Sequence, residues 1–133
     1  MIPMDEPDWF ERDVVNAIHS RQLAEHGGIP GTRDEGMLES AMALPKQLWA
    51  YANPDIYDLA AAYAFGLAKN HPFLDGNKRI AAVICETFLD LYGQEIALNQ
   101  AEKYVQYLAL AAGEIPEESF ATWLREHSGE VSS

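Results

Sequence analysis

Hydrophobic side chains recur along this chain at the spacing of helices rather than of strands. Between residues 77 and 92, for example, Ile80, Ile84, Phe88 and Leu91 repeat every three to four positions, as they would on one face of a helix. No stretch alternates apolar and polar residues over the length of a strand. The pattern therefore predicts an all-α protein of about six helices, over residues 8–26, 32–43, 53–70, 77–92, 99–112 and from 116 onward.

Capping signals set the boundaries of the second helix. Thr32 is followed three residues later by Glu35, which is the spacing of a capping box at a helix start. Pro45 follows the helical stretch, and a proline inside a helix removes one hydrogen bond. We therefore predict that this helix begins at Thr32 and ends near Ala43.

The same periodicity predicts which faces are buried. Apolar faces are expected on the first, third and fifth helices, formed by Phe10, Val14, Ala17 and Ile18, by Leu59, Tyr63 and Leu67, and by Tyr104, Val105, Leu108 and Ala112. Cys85 lies between apolar neighbours and is expected to be a small core residue. The polar tail from Ser128 is expected to fray.

Length and charge limit the classes of protein. A chain of 133 residues suits one domain with one core, predicted over residues 1–133 with its core at about 8–127 and short frayed termini. A net charge of −12 argues against direct binding to nucleic acid or anionic membranes. The single cysteine, the lack of a signal peptide and the lack of a long apolar run favour the cytoplasm.

The residues with the densest chemistry form a motif segment at positions 71–81, which reads His-Pro-Phe-Leu-Asp-Gly-Asn-Lys-Arg-Ile-Ala. It joins the third predicted helix to the fourth. Of only nine lysine and arginine residues, three lie within the eleven positions 69–79 that overlap this segment, namely Lys69, Lys78 and Arg79. The segment is therefore locally positive within an acidic chain, and a helix start with free N–H groups also favours an anion such as phosphate.

Each polar group of the motif segment suits a step of nucleotide-dependent transfer. His71 could take a proton from an incoming hydroxyl. Asp75 suits a Mg²⁺ ion that bridges phosphate oxygens. The expected phosphate-binding residues are Gly76, Asn77, Lys78 and Arg79, through an open backbone, an amide at the helix start and two cationic side chains.

The string His-Pro-Phe-x-Asp-Gly-Asn-Lys-Arg resembles the signature loop of the Fic/Doc superfamily. Residues 31–41, Gly-Thr-Arg-Asp-Glu-Gly-Met-Leu-Glu-Ser-Ala, add to the resemblance, which spans residues 8–127. It implies a compact helical domain with the motif loop between two central helices. It also implies that His71 is the base toward a target hydroxyl, that Asp75 holds the magnesium, and that Asn77 and Arg79 contact phosphates.

Two positions make the segment look like the Doc branch, the death-on-curing toxins of bacterial toxin–antitoxin pairs. Adenylylating members of the superfamily usually carry glycine where this chain has Lys78, and a second arginine where it has Ala82. The Doc branch phosphorylates a protein, with a translation elongation factor as target. The resemblance therefore implies transfer of the γ-phosphate of ATP, with Mg²⁺, to a hydroxyl of such a target.

The resemblance also implies a partner that controls the activity. Self-inhibited members carry a Ser/Thr-x-x-x-Glu-Gly/Asn motif, and the nearest match here, from Thr122 to His127, ends in histidine. A separate cognate antitoxin is therefore the expected inhibitor. Two alternatives stay open, namely adenylyl transfer to a different target and a catalytically silent module that binds a nucleotide or an antitoxin.

A few residues outside the segment have two interpretations from sequence alone. Arg33 and Asp34 either face the site or cap and charge the second helix. Trp49 either lines a groove for the target or fills the core, and the core is favoured. His19 and His26 are expected to be structural or exposed.

Overall fold

The computed structural model of the chain describes residues 4–131. In this part of the chain the prediction of an all-α fold with about six helices is confirmed. No helix among these residues combines the length and apolar character that crossing a membrane requires. The elements are α1 (Arg12–His26), α2 (Glu35–Tyr51), α3 (Ile56–Asn70), α4 (Asn77–Leu91), β1 (Gln94–Ile96), α5 (Gln100–Ala111), α6 (Glu117–His127) and β2 (Ser128–Glu130).

Helix α3 lies at the centre of the fold and contacts α2, α4, α5 and α6. The predicted core residues Leu59, Tyr63 and Leu67 are buried. Alanines on the other faces of α3 are buried as well, so its neighbours approach closely from several sides. Since α3 ends at the motif segment, the best-packed helix of the protein supports that segment from one side.

Helix α2 does not end before Pro45, and that prediction was wrong. The helix continues to Tyr51 with Pro45 buried inside it. Pro45 has no N–H for the carbonyl of Ala41, four residues earlier. That carbonyl lies against α3, because a Cβ added to Gly66 would come within 2.9 Å of its oxygen. One missing hydrogen bond does not end a helix that packs tightly on the core.

The predicted start of α2 at Thr32 was also wrong. Asp34 is the N-cap, and its carboxylate accepts a hydrogen bond from the backbone N–H of Met37 at 3.0 Å. Thr32 instead forms an isolated antiparallel bridge with Phe73 of the motif segment. A long-range backbone contact therefore overrides the local capping signal.

The predicted buried face of α1 is rotated from the observed one. The helix begins at Arg12 rather than at residue 8, and it buries Val15 and His19. Val14 is 44% exposed and Ala17 is exposed as well, whereas the predicted Phe10 and Ile18 are partly buried and pack against the core. The observed pair is spaced i, i+4 and lies on one face, but the pattern did not single it out because His19 is polar.

The predicted face of α5 was likewise wrong. This helix buries Tyr107 and Leu110, whereas Tyr104 and Val105 are 58% and 60% exposed. Tyr104 lines a cavity beside α4. The helix is thus packed along a narrow stripe, and its larger apolar surface is not part of the core.

The residues directly after α6 were predicted to fray, and that prediction was wrong. Strand β2 pairs antiparallel with β1, with Gln94 opposite Glu130 and Ile96 opposite Ser128. The backbone N–H of Ala97 also donates to the carbonyl of His127 at 2.7 Å. The predicted fraying of residues 1–3 and 132–133 lies outside the described residues.

Candidate active site at the motif loop

The motif loop, residues 71–76, connects the end of α3 to the start of α4. It borders a cavity of 1310 Å³ that extends between α4, α5 and β1. All six residues predicted for the site line this one cavity, namely His71, Asp75, Gly76, Asn77, Lys78 and Arg79. The fold therefore brings the predicted base, carboxylate and cations together on a shared open surface.

His71 is held in an unusual backbone conformation. It ends α3 in the left-handed region at φ 48° and ψ 55°, which is strained for a residue with a Cβ. The guanidinium of Arg33 donates to the carbonyl of His71 at 2.7 Å and to that of Asn70 at 2.8 Å. Arg33 thus caps α3 and fixes the direction in which His71 leaves it.

A short segment upstream of α2, which we call the strap (residues 31–34), is tied to the motif loop through its backbone. The N–H groups of Arg33 and Asp34 both donate to the carbonyl of Pro72, at 2.7 and 3.1 Å. The N–H of Leu74 donates back to the carbonyl of Gly31 at 3.1 Å. The loop therefore takes its shape partly from residues that precede it in the chain by two whole helices, α2 and α3.

The Asp75 carboxylate is oriented by two backbone N–H groups. One oxygen accepts from Gly76 at 2.8 Å and the other from Ile29 at 3.1 Å. A carboxylate has about four lone-pair positions, so it keeps acceptor capacity toward the cavity that it lines. Mg²⁺ often takes one protein carboxylate together with substrate phosphates and water, and Asp75 fits that role.

Among residues 4–131 there is no group of three or more His, Cys, Asp or Glu side chains that could hold a metal ion. Phosphate oxygens of a substrate, with water, are the further ligands that Mg²⁺ usually takes beside one or two carboxylates. This donor set fits a magnesium–nucleotide complex and does not fit a resident zinc site.

The Asn77 side chain has a structural contact that the sequence did not predict. Its oxygen accepts from the N–H of Phe73 at 2.9 Å, and its nitrogen donates to the carbonyl of the same residue at 3.0 Å. The side-chain amide therefore closes the loop on itself. It does not cap α4, and both of its polar atoms are bonded to Phe73. The backbone N–H of Asn77, in the first turn of α4, is not used by helical bonding.

The start of α4 is open to an anion. Its N-cap is Gly76, at φ 77°, which offers no side chain to cap the helix. By helical geometry the N–H groups of Asn77, Lys78 and Arg79 have no acceptor within the helix. Lys78 and Arg79 are exposed and line the cavity, so positive charge and free donors coincide there.

The far wall of the cavity carries a partly buried polar cluster that joins α4 to α5. Lys103 and the hydroxyl of Tyr107 donate to the two carboxylate oxygens of Glu86, at 2.7 and 3.0 Å. Cys85 is fully buried beside them, as predicted, and burial raises the pKa of its thiol. Burial, with nearby acidic groups, also raises the pKa of Tyr107. These groups are internally paired and hold the cavity wall in shape.

His19 is the contact that sequence reasoning missed. It is 4% exposed, and its ring stacks on Phe73 with centroids 3.8 Å apart and planes 11° apart. Its Nε2 lies 2.8 Å from the carbonyl oxygen of Asp75. In the sequence, the one indication of its burial is its position four residues after Val15, which places both side chains on the same face of α1. Sequence alone did not show that this face of α1 packs on the motif loop.

The remaining uncertain residues lie away from the cavity. Asp34 caps α2, and Trp49 packs edge-on against Trp9, with ring centroids 6.5 Å apart. Neither is among the described residues that line the cavity. For Trp49 the favoured core interpretation agrees with this packing.

Comparison with known proteins identifies the class. The model of the Fic/DOC family matches residues 9–89, which include the strap and the whole motif loop. The chain belongs to the Fic/Doc family.

Two curated relatives carry the Doc name. The chain is 31% identical to the Protein kinase doc of Escherichia phage P1 over 114 residues, covering 85% of this chain and 90% of that protein. It is 43% identical to the Toxin Doc of Mycolicibacterium smegmatis over 76 residues, covering 55% of this chain and 58% of that protein. The predicted resemblance to the Doc branch is confirmed by these matches.

Proposed function

We propose that this protein is the toxin of a toxin–antitoxin pair and transfers the γ-phosphate of ATP to a hydroxyl side chain of a cytosolic protein. The observation that carries the proposal is the meeting of His71, Asp75 and the cationic start of α4 on one cavity. The name of the phage relative, a protein kinase, supports phosphoryl transfer. A translation elongation factor is the proposed target.

In the proposed reaction, His71 acts as the general base. It takes the proton of the target hydroxyl, and the hydroxyl oxygen bonds to the γ-phosphorus. The bond from that phosphorus to the β,γ-bridging oxygen breaks, and ADP leaves with that electron pair. General-base assistance of this kind typically contributes about 10²- to 10⁴-fold in rate. The strained backbone at His71, held by Arg33, supports a fixed direction for the imidazole.

The start of α4 would bind the phosphates. Its free N–H groups, with Lys78 and Arg79, would stabilise the charge on the transferring group, and phosphoryl transfer depends mainly on such positioning and electrostatics. Asp75 would hold Mg²⁺, which would supply positive charge to offset that of the phosphates. Its two N–H partners support a preformed orientation.

Two residues favour phosphoryl over adenylyl transfer. Lys78 supplies a charge where adenylylating relatives usually have glycine, and Ala82 replaces their second arginine. Ala82 lines the same cavity, so no guanidinium extends from that position toward a nucleotide. Adenylyl transfer is the second candidate, because the family match covers both branches.

The proposed partners follow from the same assignment. A cognate antitoxin would bind the protein and block its activity, and the target protein and the antitoxin would both be met in the cytoplasm. Direct contact with nucleic acid is not proposed, because the net charge of −12 repels phosphate backbones. A catalytically silent role is the remaining alternative.

The test uses ATP labelled separately on its γ- and α-phosphates, with Mg²⁺ and a cytosolic bacterial extract. We expect one protein band labelled from the γ position only. His71→Ala should lose the band while keeping the unfolding midpoint of the wild type. His26→Ala removes another histidine that lines the cavity and should retain most of the labelling. Label from the α position would establish adenylyl transfer, and no label from either position would support the silent module.

A further inference from the structure

A buried histidine on α1 touches the motif loop although it is outside the motif. Among residues 4–131, and leaving the tyrosine hydroxyls aside, His19 is the one polar or charged residue that is buried. Burial of a polar group is costly unless it is hydrogen-bonded. Its partner is the carbonyl of Asp75, at 2.8 Å. A carbonyl only accepts, so Nε2 carries the hydrogen and donates it.

The hydrogen bond from His19 sets the orientation of one peptide group. In a trans peptide the C=O and the following N–H point in opposite directions. The carbonyl of Asp75 is held by His19, and the N–H of Gly76 in the same peptide donates to the carboxylate of Asp75 at 2.8 Å. Fixing the carbonyl therefore aims the N–H that orients the carboxylate.

The ring of His19 is itself fixed. It lies parallel to Phe73, with centroids 3.8 Å apart, and Phe73 is 2% exposed. A Cβ added to Gly76 would lie 3.7 Å from Nε2, so the imidazole also packs beside the residue that begins α4. The same helix leads into the segment whose Ile29 N–H contacts Asp75. Helix α1 and the segment that follows it thus each make one long-range contact with Asp75, to its carbonyl and to its carboxylate.

We propose that His19 is a positioning residue for the transfer reaction. It holds the Asp75–Gly76 peptide so that the carboxylate is ready for the magnesium–nucleotide complex and the start of α4 is aimed at the phosphates. The effect of His19 on transfer rests on the proposed function, whereas its hold on the Asp75–Gly76 peptide does not. Residues that orient a metal ligand typically change metal affinity or activity about 10- to 100-fold when replaced.

Two substitutions separate the hydrogen bond from the stacking. His19→Phe keeps an aromatic ring on Phe73 and removes the donor. His19→Gln places an amide N–H at about the position of Nε2 and removes the ring. Val15→Ala is the matched control, because it opens a gap at the other buried residue of α1 and leaves His19 in place.

Three measurements are made on each full-length variant: the urea midpoint, the Mg²⁺ dependence of transfer from ATP, and amide hydrogen exchange. For His19→Phe we expect a rise in half-saturating Mg²⁺ and a fall in kcat/KM of about 10- to 100-fold. The Gly76 amide should lose protection relative to amides in α3. His19→Gln should recover most of the Mg²⁺ dependence and of the Gly76 protection. Val15→Ala should lower only the midpoint.

Wild-type Mg²⁺ dependence and wild-type Gly76 protection in His19→Phe would overturn the proposal. So would a His19→Gln protein that folds but shows raised half-saturating Mg²⁺, since this variant keeps the donor. If His19→Phe does not fold, His19→Gln alone decides the question in this way. If the wild type transfers no label, the proposed function fails separately, and the Gly76 exchange data still decide whether His19 holds the loop.

Discussion

The double hydrogen bond between Asn77 and Phe73 makes a prediction that separates stability from phosphate binding. Asn77→Ala removes both bonds, of 2.9 and 3.0 Å. It leaves the N–H and the carbonyl of Phe73 without these partners, in a residue that is only 2% exposed. The motif loop would then be free to open at its closure point.

The expected cost follows from those two groups. Each buried polar group left unpaired costs about 1–3 kcal/mol. Asn77 is itself half-buried, so water reaches part of the gap and the lower half of that range applies to each group. We therefore expect Asn77→Ala to lower the free energy of unfolding by about 2–4 kcal/mol. A loss of that size should lower the melting temperature by roughly 10 °C.

The assay is urea unfolding followed by circular dichroism, with label transfer from ATP measured on the folded protein. Asn70→Ala is the comparison, since it removes one longer bond, from Nδ2 to the carbonyl of Met37 at 3.2 Å. It should cost about 1 kcal/mol. If Asn77→Ala unfolds at the wild-type urea concentration, or loses no more stability than Asn70→Ala, the loop-closing role is refuted and a phosphate contact would have to explain any lost activity.

Three further predictions concern other parts of the fold. Gly28→Ala should raise the half-saturating Mg²⁺ concentration for transfer and lower the urea midpoint. Gly28 has φ +130°, and a Cβ there would lie 3.0 Å from the Asp75 carboxylate. Unchanged values would show that the backbone around Gly28 shifts without cost. Burial raises the pKa of Asp55, but hydrogen bonds from Arg125 and a backbone N–H, with the charge of Arg125, outweigh it and hold the pKa below the ordinary 3.8. The stability from this pair is present above pH 3.8 and is lost as the pH falls below it. Arg125→Ala should therefore make the free energy of unfolding fall less steeply with decreasing pH in the acid range. An equally steep fall would contradict the pairing of Asp55 with Arg125 as its cause. Burial also raises the pKa of Cys85, so a thiol reagent at pH 8 should react only at the rate of unfolding, and fast reaction with the native protein would show that the thiol is accessible.

The site could be predicted from the sequence where its chemistry is local. His71, Asp75 and Arg79 lie within nine positions, and the short loop between two consecutive helices keeps them close enough to line one cavity. The periodic pattern of α3 likewise predicted its core residues, because this helix is buried over most of its surface.

The errors arose where distant residues meet. Thr32 pairs with Phe73 instead of capping α2, and Ser128 pairs with Ile96 instead of fraying. Neither partner is marked by a local pattern. His19 escaped notice for the same reason, since its contact with Asp75 lies 56 positions away along the chain. Helical spacing describes a helix face but not which surface that face meets.

The ties between the motif loop and the N-terminal part of the chain also bear on how the protein folds. Helices α3 and α4 follow each other directly, so they can form through nearby contacts, whereas the bond from Arg33 to His71 spans 38 positions and must await closure of a long loop. Helix content should therefore rise before the site is shaped. In a refolding experiment, recovery of circular dichroism would then precede recovery of transfer activity, and the delay would measure the docking of α1 and the strap onto the loop.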